Sequence, residues 1–334
     1  MQLTRFKLKN MTPLHLGKGR DSYDVSSPVL QSDTLASALA SVRAMTGKTD
    51  DIQDFLESFT ISSAFPYDGD EFFFPRPSGR LSITVEGLPE EKYRKKLKSL
   101  RFISADEWMR LIQGERLEIH PNQLQGEFLV SRRSDSQTNP YSKPSERVIN
   151  QRVQVPREDG KDSEPFMFEW TYFHHGKRET GLYCLVKTDD DQRTKELTEL
   201  FKRLGEQGIG SDRSVGGGHF DIEVGTIELP SIADANATML LSTFIPQKQE
   251  LGQLDLINAS FSVFKRGGFL AGSTDVGATH LRRKTIYMFD VGSVFPMTAP
   301  LQGQVVDVTP EWKGLHKVFR NGKPLGITIK TSPQ

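Results

Sequence analysis

The chain has 334 residues, which is enough for two domains with separate hydrophobic cores. Its 43 lysines and arginines balance 43 aspartates and glutamates, which excludes a uniformly basic nucleic-acid-binding surface, so any basic surface must be local. No apolar run approaches the roughly 20 residues that span a bilayer, and the N-terminal segment MQLTRFKLKN lacks the apolar core of a signal peptide, so we expect a cytoplasmic protein with no membrane partner.

The first predicted element is a strand in which the apolar residues Phe6 and Leu8 alternate with basic residues. A loop from Thr12 to Ser32 follows and contains the sequence HLGKGRDS. Two glycines that frame a lysine, with an arginine after them, give a phosphate group a close backbone and mobile cations. A solvated surface loop would have a similar composition, so both interpretations stay open. The candidate phosphate-binding residues of this loop are Lys18, Gly19 and Arg20.

A helix is predicted next, because apolar residues recur at i, i+4 and i+7 from Leu35 and the pattern stops before Gly47. Ser32 or Asp33 supplies its N-cap. The helix begins directly after the basic loop, so the free N–H groups of its first turn could add to an anion site.

Short strands are predicted from the runs ISSAFPY and EFFFPRP, which prolines interrupt. Phe72, Phe73 and Phe74 could stack on bases, but a continuous aromatic run favours a buried strand. The basic run from Lys92 to Arg101 is interpreted as the solvated face of a helix.

The segment from Ser131 to Gly160 has few large apolar residues, so it cannot bury much surface and should project from the body. A returning strand is predicted from Phe166 to Tyr172. An extended hairpin that carries arginines suits contact with a nucleic-acid backbone or insertion between bases, whereas a disordered surface loop is the competing interpretation. The polar candidates in this segment are Arg132, Arg133, Arg147, Asn150 and Arg152.

A glycine-rich loop, GEQGIGSDRSVGGGHFD, spans residues 205–221. Amphipathic helical spacing precedes it from Asp191 to Leu204, and strand alternation follows from Phe220. The order helix, loop, strand excludes a nucleotide P-loop, which needs strand, loop, helix and a Gly-Lys-Ser/Thr sequence. The loop could still approach a longer phosphate backbone closely, or it could be a helix C-cap at Gly205 followed by a flexible turn. The apolar residues of the following strand change from even-numbered to odd-numbered positions around Gly225, which predicts a β-bulge there.

The element order up to residue 230 is that of a split βαβ, or ferredoxin-like, domain with an inserted hairpin. A second set of strands follows, and a second ferredoxin-like unit is plausible. We therefore predict an α+β fold with a first domain at 1–230, a hairpin insertion at about 127–175, a glycine-rich loop at 205–218 and a second domain at 231–334.

Catalytic and metal-binding motifs are not found in the sequence. The seven histidines lack HExxH or Cys/His spacing, so no metal site and no cofactor are expected. The single cysteine, Cys184, lies in an apolar run and is expected to be a buried, unreactive thiol. His15 in the basic loop is the one candidate for a general acid in RNA cleavage, although a positioning or solvent-exposed histidine is the alternative.

Taken together, several stretches resemble the family of the fourth Csm subunit of type III-A CRISPR effector complexes. This family belongs to the RAMP superfamily. They are HLGKGRDS with SDTLASAL, ISSAFPY with FFFPRP, the glycine loop with GGGHFDIE, and FKRGGFLAG with LRRKTIYMFDVGSVFP. The resemblance extends over both halves of the chain, but the closing run HKVFRNGKPLGITI is less aromatic than the last strand of that family.

The resemblance implies two ferredoxin-like (RRM-like, RAMP) folds with a glycine-rich loop and a protruding β-hairpin thumb. It implies a non-catalytic role: holding the 5′ handle of crRNA, capping the filament of backbone Csm subunits and docking onto the large polymerase-like subunit. An RNA endonuclease of the related repeat-processing class, and the equivalent subunit of a type III-B or III-D complex, are the alternatives. Carried onto this chain, partner contacts fall on Arg266, Gly267 and Gly268. Besides the basic-loop and hairpin residues named above, RNA contacts fall on Ser32, Asp33, Thr34, Gly208, Gly210, Arg213, Ser214, Gly216, Gly217, Gly218 and His219.

Overall fold

A computed structural model describes residues 1–17, 24–132, 143–155, 163–173, 178–270, 281–297, 299–311 and 316–331. The elements of the first half are β1 Gln2–Lys9, α1 Ser32–Met45, α2 Ile52–Glu57, β2 Thr60–Ile61, β3 Phe65–Asp68, β4 Glu71–Pro75, β5 Ile83–Val85, α3 Glu90–Ser99, β6 Phe102–Ser104, α4 Ala105–Ile112, β7 Leu117–Ile119, β8 Leu124–Gln125, β9 Phe128–Leu129, β10 Ser145–Gln154, β11 Glu164–Phe173, β12 Thr180–Lys187, α5 Asp191–Gln207 and β13 Asp221–Glu228. Those of the second half are β14 Ala237–Leu240, α6 Lys248–Leu251, β15 Val263–Arg266, β16 Ile286–Phe289, β17 Val294–Phe295, β18 Val305–Asp307, β19 Phe319–Asn321 and β20 Gly326–Ile329.

The first half has the strand order of a ferredoxin-like sheet. The order β13-β1-β12-β3 places the last strand of the βαββαβ unit beside the first, and every neighbouring pair is antiparallel. β1 pairs with β13 residue for residue, from Gln2 opposite Glu228 to Lys9 opposite Asp221. The prediction of a bulge near Gly225 is therefore wrong. The apolar residues of this edge strand change faces without an extra residue in the pairing.

Two hydrophobic cores cover the two faces of this sheet. On one face Phe6 and Leu8 pack against α1 and α5, and the Phe6 ring stacks on Phe201 with centroids 4.5 Å apart. This confirms the alternation predicted for β1 and the amphipathic helix predicted before the glycine-rich loop. The other face contributes to a core that also contains Met239 and Ile327 from the second half, so the two halves share buried apolar surface.

The sheet continues beyond β3 through β4, β6, β9 and β8. Phe73 and Phe74 of β4 are fully buried, and the Phe74 ring stacks on Trp108 at 4.1 Å, which confirms that the aromatic run belongs to the core. α3 buries only Tyr93, so its basic residues form a solvated face as predicted.

The second half contains a three-stranded antiparallel sheet in the order β17-β14-β20, with separate two-stranded ribbons β15–β16 and β18–β19. Its one described helix, α6, has four residues. A four-stranded ferredoxin-like sheet is thus seen in the first half, while the second ferredoxin-like unit and the boundary at residue 230 stay predictions. Within the part of the chain that the structure describes, no helix is long and apolar enough to cross a membrane.

Candidate nucleic-acid interface

The inserted hairpin is a ten-residue antiparallel ribbon, β10–β11, and its base is fixed to the loop after β1. The amide of Leu14 donates to the carbonyl of Thr171 at 2.9 Å, and the amide of Thr171 donates back to the carbonyl of Leu14 at 2.8 Å. The predicted hairpin is confirmed, although residues 128–129 at the start of the predicted insertion belong to the main sheet as β9. Because its base is held by backbone hydrogen bonds, the hairpin is an ordered projection where it is described.

His15 is part of this base and is buried, with 1% of its surface exposed. Its Nδ1 lies 2.7 Å from the carbonyl oxygen of Glu169, so Nδ1 carries the proton and donates. The ring also packs on Phe168 with centroids 4.3 Å apart. A general acid must reach the leaving oxygen of the RNA, and a buried ring cannot, so the structure contradicts the catalytic interpretation of His15.

The glycine-rich loop packs against the same segment of chain. The amide of Gly218 donates to the backbone carbonyl of Pro13 at 3.0 Å, and the amide of Ser211 donates to the backbone carbonyl of His15 at 2.9 Å. A Cβ on Gly218 would lie 1.9 Å from the carbonyl oxygen of Ile209, and both Gly218 and Gly210 have positive φ. Several of these glycines therefore serve close backbone packing, which the phosphate interpretation alone did not predict.

The helix before the loop ends later than predicted. α5 continues to Gln207, and its C-cap is Gly208 with φ of 77°. Gly205, predicted as the C-cap, lies inside the helix, where a Cβ would meet the carbonyl oxygen of Phe220 at 2.1 Å. The glycine at position 205 thus allows β13 to approach α5 closely, and the C-cap interpretation applies to Gly208 instead.

The tip of the loop faces solvent and contacts the hairpin. Arg213, Ser214 and Gly216 are exposed, whereas Gly217 is buried against the ring of Trp170. Asp212 pairs with Arg152 of β10, whose guanidinium lies 4.7 Å from the centroid of Phe168. The charge of Arg152 is thus balanced within the chain. Arg213 forms no ion pair with any described residue, and its carbonyl lies 3.2 Å from the half-buried ring of His219.

The remaining described residues on and near the hairpin that are predicted to contact RNA are exposed. The charges of the two arginines among them are partly compensated by nearby glutamates. Arg147 lies 3.4 Å from Glu127, Arg132 lies 3.1 Å from Glu86, and Asn150 donates to the hydroxyl of Tyr172 at 3.3 Å. These side chains remain accessible to a ligand. Lys18, Gly19, Arg20 and Arg133 lie outside the described residues.

Asp33 is fully buried at the start of α1 and joins the first half of the chain to the second. Its carboxylate accepts two hydrogen bonds from Arg266, at 2.7 and 2.6 Å, and one from Arg320 at 3.0 Å. We call these three residues the Asp33 cluster. Burial raises the pKa of Asp33, but Arg320 and Arg266 outweigh burial and hold the pKa below its ordinary value.

Two groups of predicted contact residues in this region already have partners within the chain. RNA contacts are predicted at Ser32 and Asp33, where the Asp33 carboxylate is paired inside the chain and the Ser32 hydroxyl lies 2.9 Å from the hydroxyl of Thr243. These side chains are engaged, and the contacts stay predictions. A partner contact is predicted at Arg266, whose guanidinium pairs with Asp33 while 26% of its side chain stays exposed, so this contact stays a prediction. Thr34 is half-buried, Gly267 is half-buried and Gly268 is exposed, so these three remain accessible.

A groove with a volume of about 2150 Å³ brings the glycine-rich loop and the second half together. Its lining includes the outer side of α1, the loop from Gln207 to Ser211 with Arg213, and segments of the second half around residues 264–270 and 282–290. Carboxylates also line it, at residues 50–54 beside α2. Its cationic lining residues include Arg213, Lys265, Arg266, Arg282, Arg283, Lys317 and Arg320.

Five of these cations, Lys265, Arg282, Arg283, Lys317 and Arg320, were not predicted as site residues. The run LRRK contributed only to the family resemblance, because adjacent basic residues in a sequence resemble any solvated surface. The groove concentrates positive charge on a chain whose net charge is zero, and such a local basic surface is what a phosphate backbone requires.

Comparisons with known proteins identify the family. The RAMP superfamily model matches residues 7–221, and the model of the CRISPR Csm4 C-terminal domain matches residues 233–329. A Streptococcus thermophilus protein described as CRISPR system Cms protein Csm4 is 25% identical, over 97% of this chain and 99% of that protein.

Solved structures of Csm subcomplexes contain chains with a similar fold. A Csm3–Csm4 subcomplex of the type III-A CRISPR-Cas interference complex matches with a TM-score of 0.61 at 16% identity, over 99% of this chain and 100% of that chain. A Csm1–Csm4 cassette in complex with cA4 matches with a TM-score of 0.60 at 16% identity, over 100% of both chains. With one family model on each half and a full-length relative, the chain belongs to the RAMP superfamily and, within it, to the Csm4 family.

Proposed function

We propose that this chain is a non-catalytic subunit of a type III-A CRISPR (Csm) interference complex in antiviral defence. It holds the 5′ handle of crRNA, caps the filament of backbone subunits and docks onto the large polymerase-like subunit. The partner assignment is supported by relatives whose structures are described as Csm1–Csm4 and Csm3–Csm4 complexes.

The observation that carries the RNA-binding role is the basic groove between the glycine-rich loop and the second half. A strand of RNA presents one phosphate per nucleotide, and arginines and backbone N–H groups are the usual phosphate contacts. Arg213 lines the groove without an ion pair among the described residues, so its charge is available to a ligand. The close packing of Gly210 and Gly218 fixes the position of this arginine relative to the hairpin.

Some of the predicted contacts lie near one another on the glycine-rich loop and the hairpin, which supports this proposal. Arg213 and Ser214 lie at the loop tip, Asp212 links that tip to the hairpin through Arg152, and the exposed Arg147 and Asn150 lie further along β10. This arrangement suits a backbone that follows the loop and then the hairpin. Base contacts would come from the hairpin, where exposed apolar side chains accompany the polar ones.

The endonuclease alternative depended on His15 as general acid, and this residue is buried. A non-catalytic role is therefore favoured. Incubation of the purified chain with repeat RNA in the absence of divalent metal distinguishes the two functions, because an endonuclease of that class cleaves and a scaffold subunit only binds. Cleavage that a His15→Ala variant abolishes would refute the non-catalytic assignment.

The RNA-binding assignment is tested with Arg213→Ala. Affinity for a synthetic crRNA that includes the 5′ handle is measured by fluorescence anisotropy over a series of salt concentrations. We expect binding to weaken by about 1–3 kcal/mol and the salt slope to become shallower by about one charge. Arg94→Ala on α3 is the matched control, since Arg94 is exposed and does not line the groove. Unchanged affinity and slope in Arg213→Ala would contradict the assignment.

The partner assignment needs a separate experiment. The chain is expected to co-purify from its native host with a large polymerase-like subunit, a backbone subunit and bound RNA whose 5′ ends carry the repeat sequence. Sequencing of that RNA and identification of the proteins also separate a type III-A complex from a III-B or III-D complex. Recovery of the chain without RNA or partners would refute the proposal.

A further inference from the structure

Arg283 is held in a defined position beside the Asp33 cluster. Its backbone amide donates to the carbonyl of Gly268 at 3.0 Å, and the next amide, of Lys284, donates to Val308 at 3.0 Å. The guanidinium lines the groove, and one of its Nη atoms donates to the carbonyl of Gly267 at 3.3 Å. The side chain is therefore positioned by its surroundings and is not a mobile surface arginine.

The charge of Arg283 is not compensated by the described residues. Asp33 is already shared by Arg266 and Arg320, and Arg283 forms no ion pair with any carboxylate in the described ranges. Its Nε atom is buried without a hydrogen-bond partner among those residues. Burial, followed by the positive charge of Arg320, lowers the pKa of Arg283 to about 10.

Asp290 is a half-buried carboxylate near Arg266, and its side chain accepts a hydrogen bond from Gln31 at 2.9 Å. It is not within ion-pair distance of Arg283 in the described structure. Among the described residues, the guanidinium groups of Arg266, Arg320 and Arg283 thus carry one positive charge more than the carboxylates of Asp33 and Asp290 balance. A partly buried guanidinium without a counter-ion is unfavourable, and an anionic ligand would compensate its charge.

We infer that Arg283 binds a phosphodiester group of the RNA in the groove, so that the second half holds the guide RNA together with the glycine-rich loop. This inference rests on the proposed function. Arginine presents a planar fork of donors that matches two phosphate oxygens, and the guanidinium of Arg283 lines the groove.

A phosphate fits this site better than a carboxylate of a partner protein. Arg282, Lys265 and Lys317 line the same groove, and Arg213 lines it from the glycine-rich loop. A continuous phosphate backbone can contact all of these cations in turn, whereas a single acidic side chain of a protein would neutralise one of them. The segment around Gly267 and Gly268 is thereby reassigned from a partner surface to one wall of the RNA groove.

The test compares Arg283→Gln with the control Arg94→Gln, using the full-length chain. For Arg283→Gln we expect affinity for crRNA to fall on the order of tenfold, as for loss of a charge-assisted hydrogen bond, with a salt slope shallower by about one charge. We also expect the melting temperature of the free chain to stay the same or rise, because the variant removes an uncompensated cation. The rise in melting temperature on adding crRNA should be smaller than in the wild type. Arg283→Lys keeps the charge without the planar fork, and we expect an intermediate affinity.

Each result distinguishes this inference from the proposed function. If Arg213→Ala weakens binding while Arg283→Gln binds like the wild type, the inference is wrong and the proposed function stands. If the wild-type chain does not bind crRNA, the proposed function itself is wrong. A lower melting temperature with unchanged RNA affinity would make Arg283 a structural residue. Loss of the large subunit in co-purification with unchanged RNA affinity would make it a protein contact, and either result overturns the inference.

Discussion

Replacing Asp33 by asparagine tests whether the Asp33 cluster holds the two halves of the chain together. Asparagine has almost the same shape and keeps one acceptor oxygen, so the substitution removes the negative charge with little change in packing. Arg320 would then be a buried cation without a counter-ion, since 5% of its side chain is exposed, and Arg266 would lose its negative partner and one of its two hydrogen bonds to that side chain.

Breaking a buried ion pair by removing one partner costs about 3–5 kcal/mol. Because 26% of the Arg266 side chain is exposed, water can solvate this arginine partly, and we expect a loss near the lower end, about 3 kcal/mol. For 334 residues, an unfolding entropy of about 2.1 cal/mol/K per residue gives about 0.7 kcal/mol/K. The melting temperature of Asp33→Asn should therefore fall by about 4 °C.

Differential scanning calorimetry and urea titration of both proteins measure this effect. Asp307→Asn is the matched control, since it makes the same chemical change in an exposed pair with Lys317, whose side chain is 70% exposed. Surface pairs contribute about 0–1 kcal/mol, so the control should lose little stability. The reasoning about the cluster is refuted if Asp33→Asn is no less stable than Asp307→Asn.

Three further predictions follow from the same contacts. The pKa of Asp33 is lowered from 3.8 in the folded chain, so the stability that this carboxylate contributes is complete well above pH 3.8 and is lost as the pH falls through the lowered pKa. The stability of Asp33→Asn should therefore lack this part of the pH dependence. Identical profiles of stability against pH for the two proteins would contradict this prediction. Gly218→Ala should destabilise the chain and weaken RNA binding more than Gly216→Ala. Both glycines have positive φ, but only at Gly218 would an added Cβ clash with backbone atoms. Equal effects of the two substitutions would contradict the packing role of Gly218. Cys184 is fully buried and burial raises the pKa of its thiol, so it should react with a thiol reagent only after unfolding; labelling of the folded chain would contradict this.

The first half of the fold was predictable because its signals are local. The spacing of apolar residues before the glycine-rich loop predicted α5, and the alternation around Phe6 predicted β1. Both patterns reflect burial of one face, which the sequence records directly. The strand order then followed from the succession of elements, since a split βαβ unit allows few arrangements.

The Asp33 cluster could not be predicted in this way. Asp33 looked like a helix N-cap beside a basic loop, but its partners Arg266 and Arg320 lie 233 and 287 residues away in sequence. No local pattern specifies which of 43 basic residues a buried carboxylate will meet. Arg283 was missed for the same reason, because its significance depends on a carboxylate that two other arginines already use.

The glycine-rich loop shows why one motif supported two interpretations. Gly205 and Gly218 are required where another backbone strand or loop passes closely, while Gly216 lies at the exposed tip with open space around it. Both uses need the same residue type, so the sequence could not separate packing glycines from those that approach a ligand. Only the positions of the neighbouring carbonyl oxygens distinguish them.

The position of the Asp33 cluster at the junction of the two halves has a functional explanation. Buried ion pairs add little net stability compared with apolar packing, and their best-attested use is to fix one arrangement among several. The groove is lined by α1 and the glycine-rich loop from the first half and by Arg266 and Arg283 from the second half. The width of the groove therefore depends on the position of one half relative to the other. Asp33 lies on α1 and binds the arginine of the β15 segment directly. Under the proposed function, the carboxylate that aligns the halves also fixes the spacing between the groove cations that would contact successive phosphates.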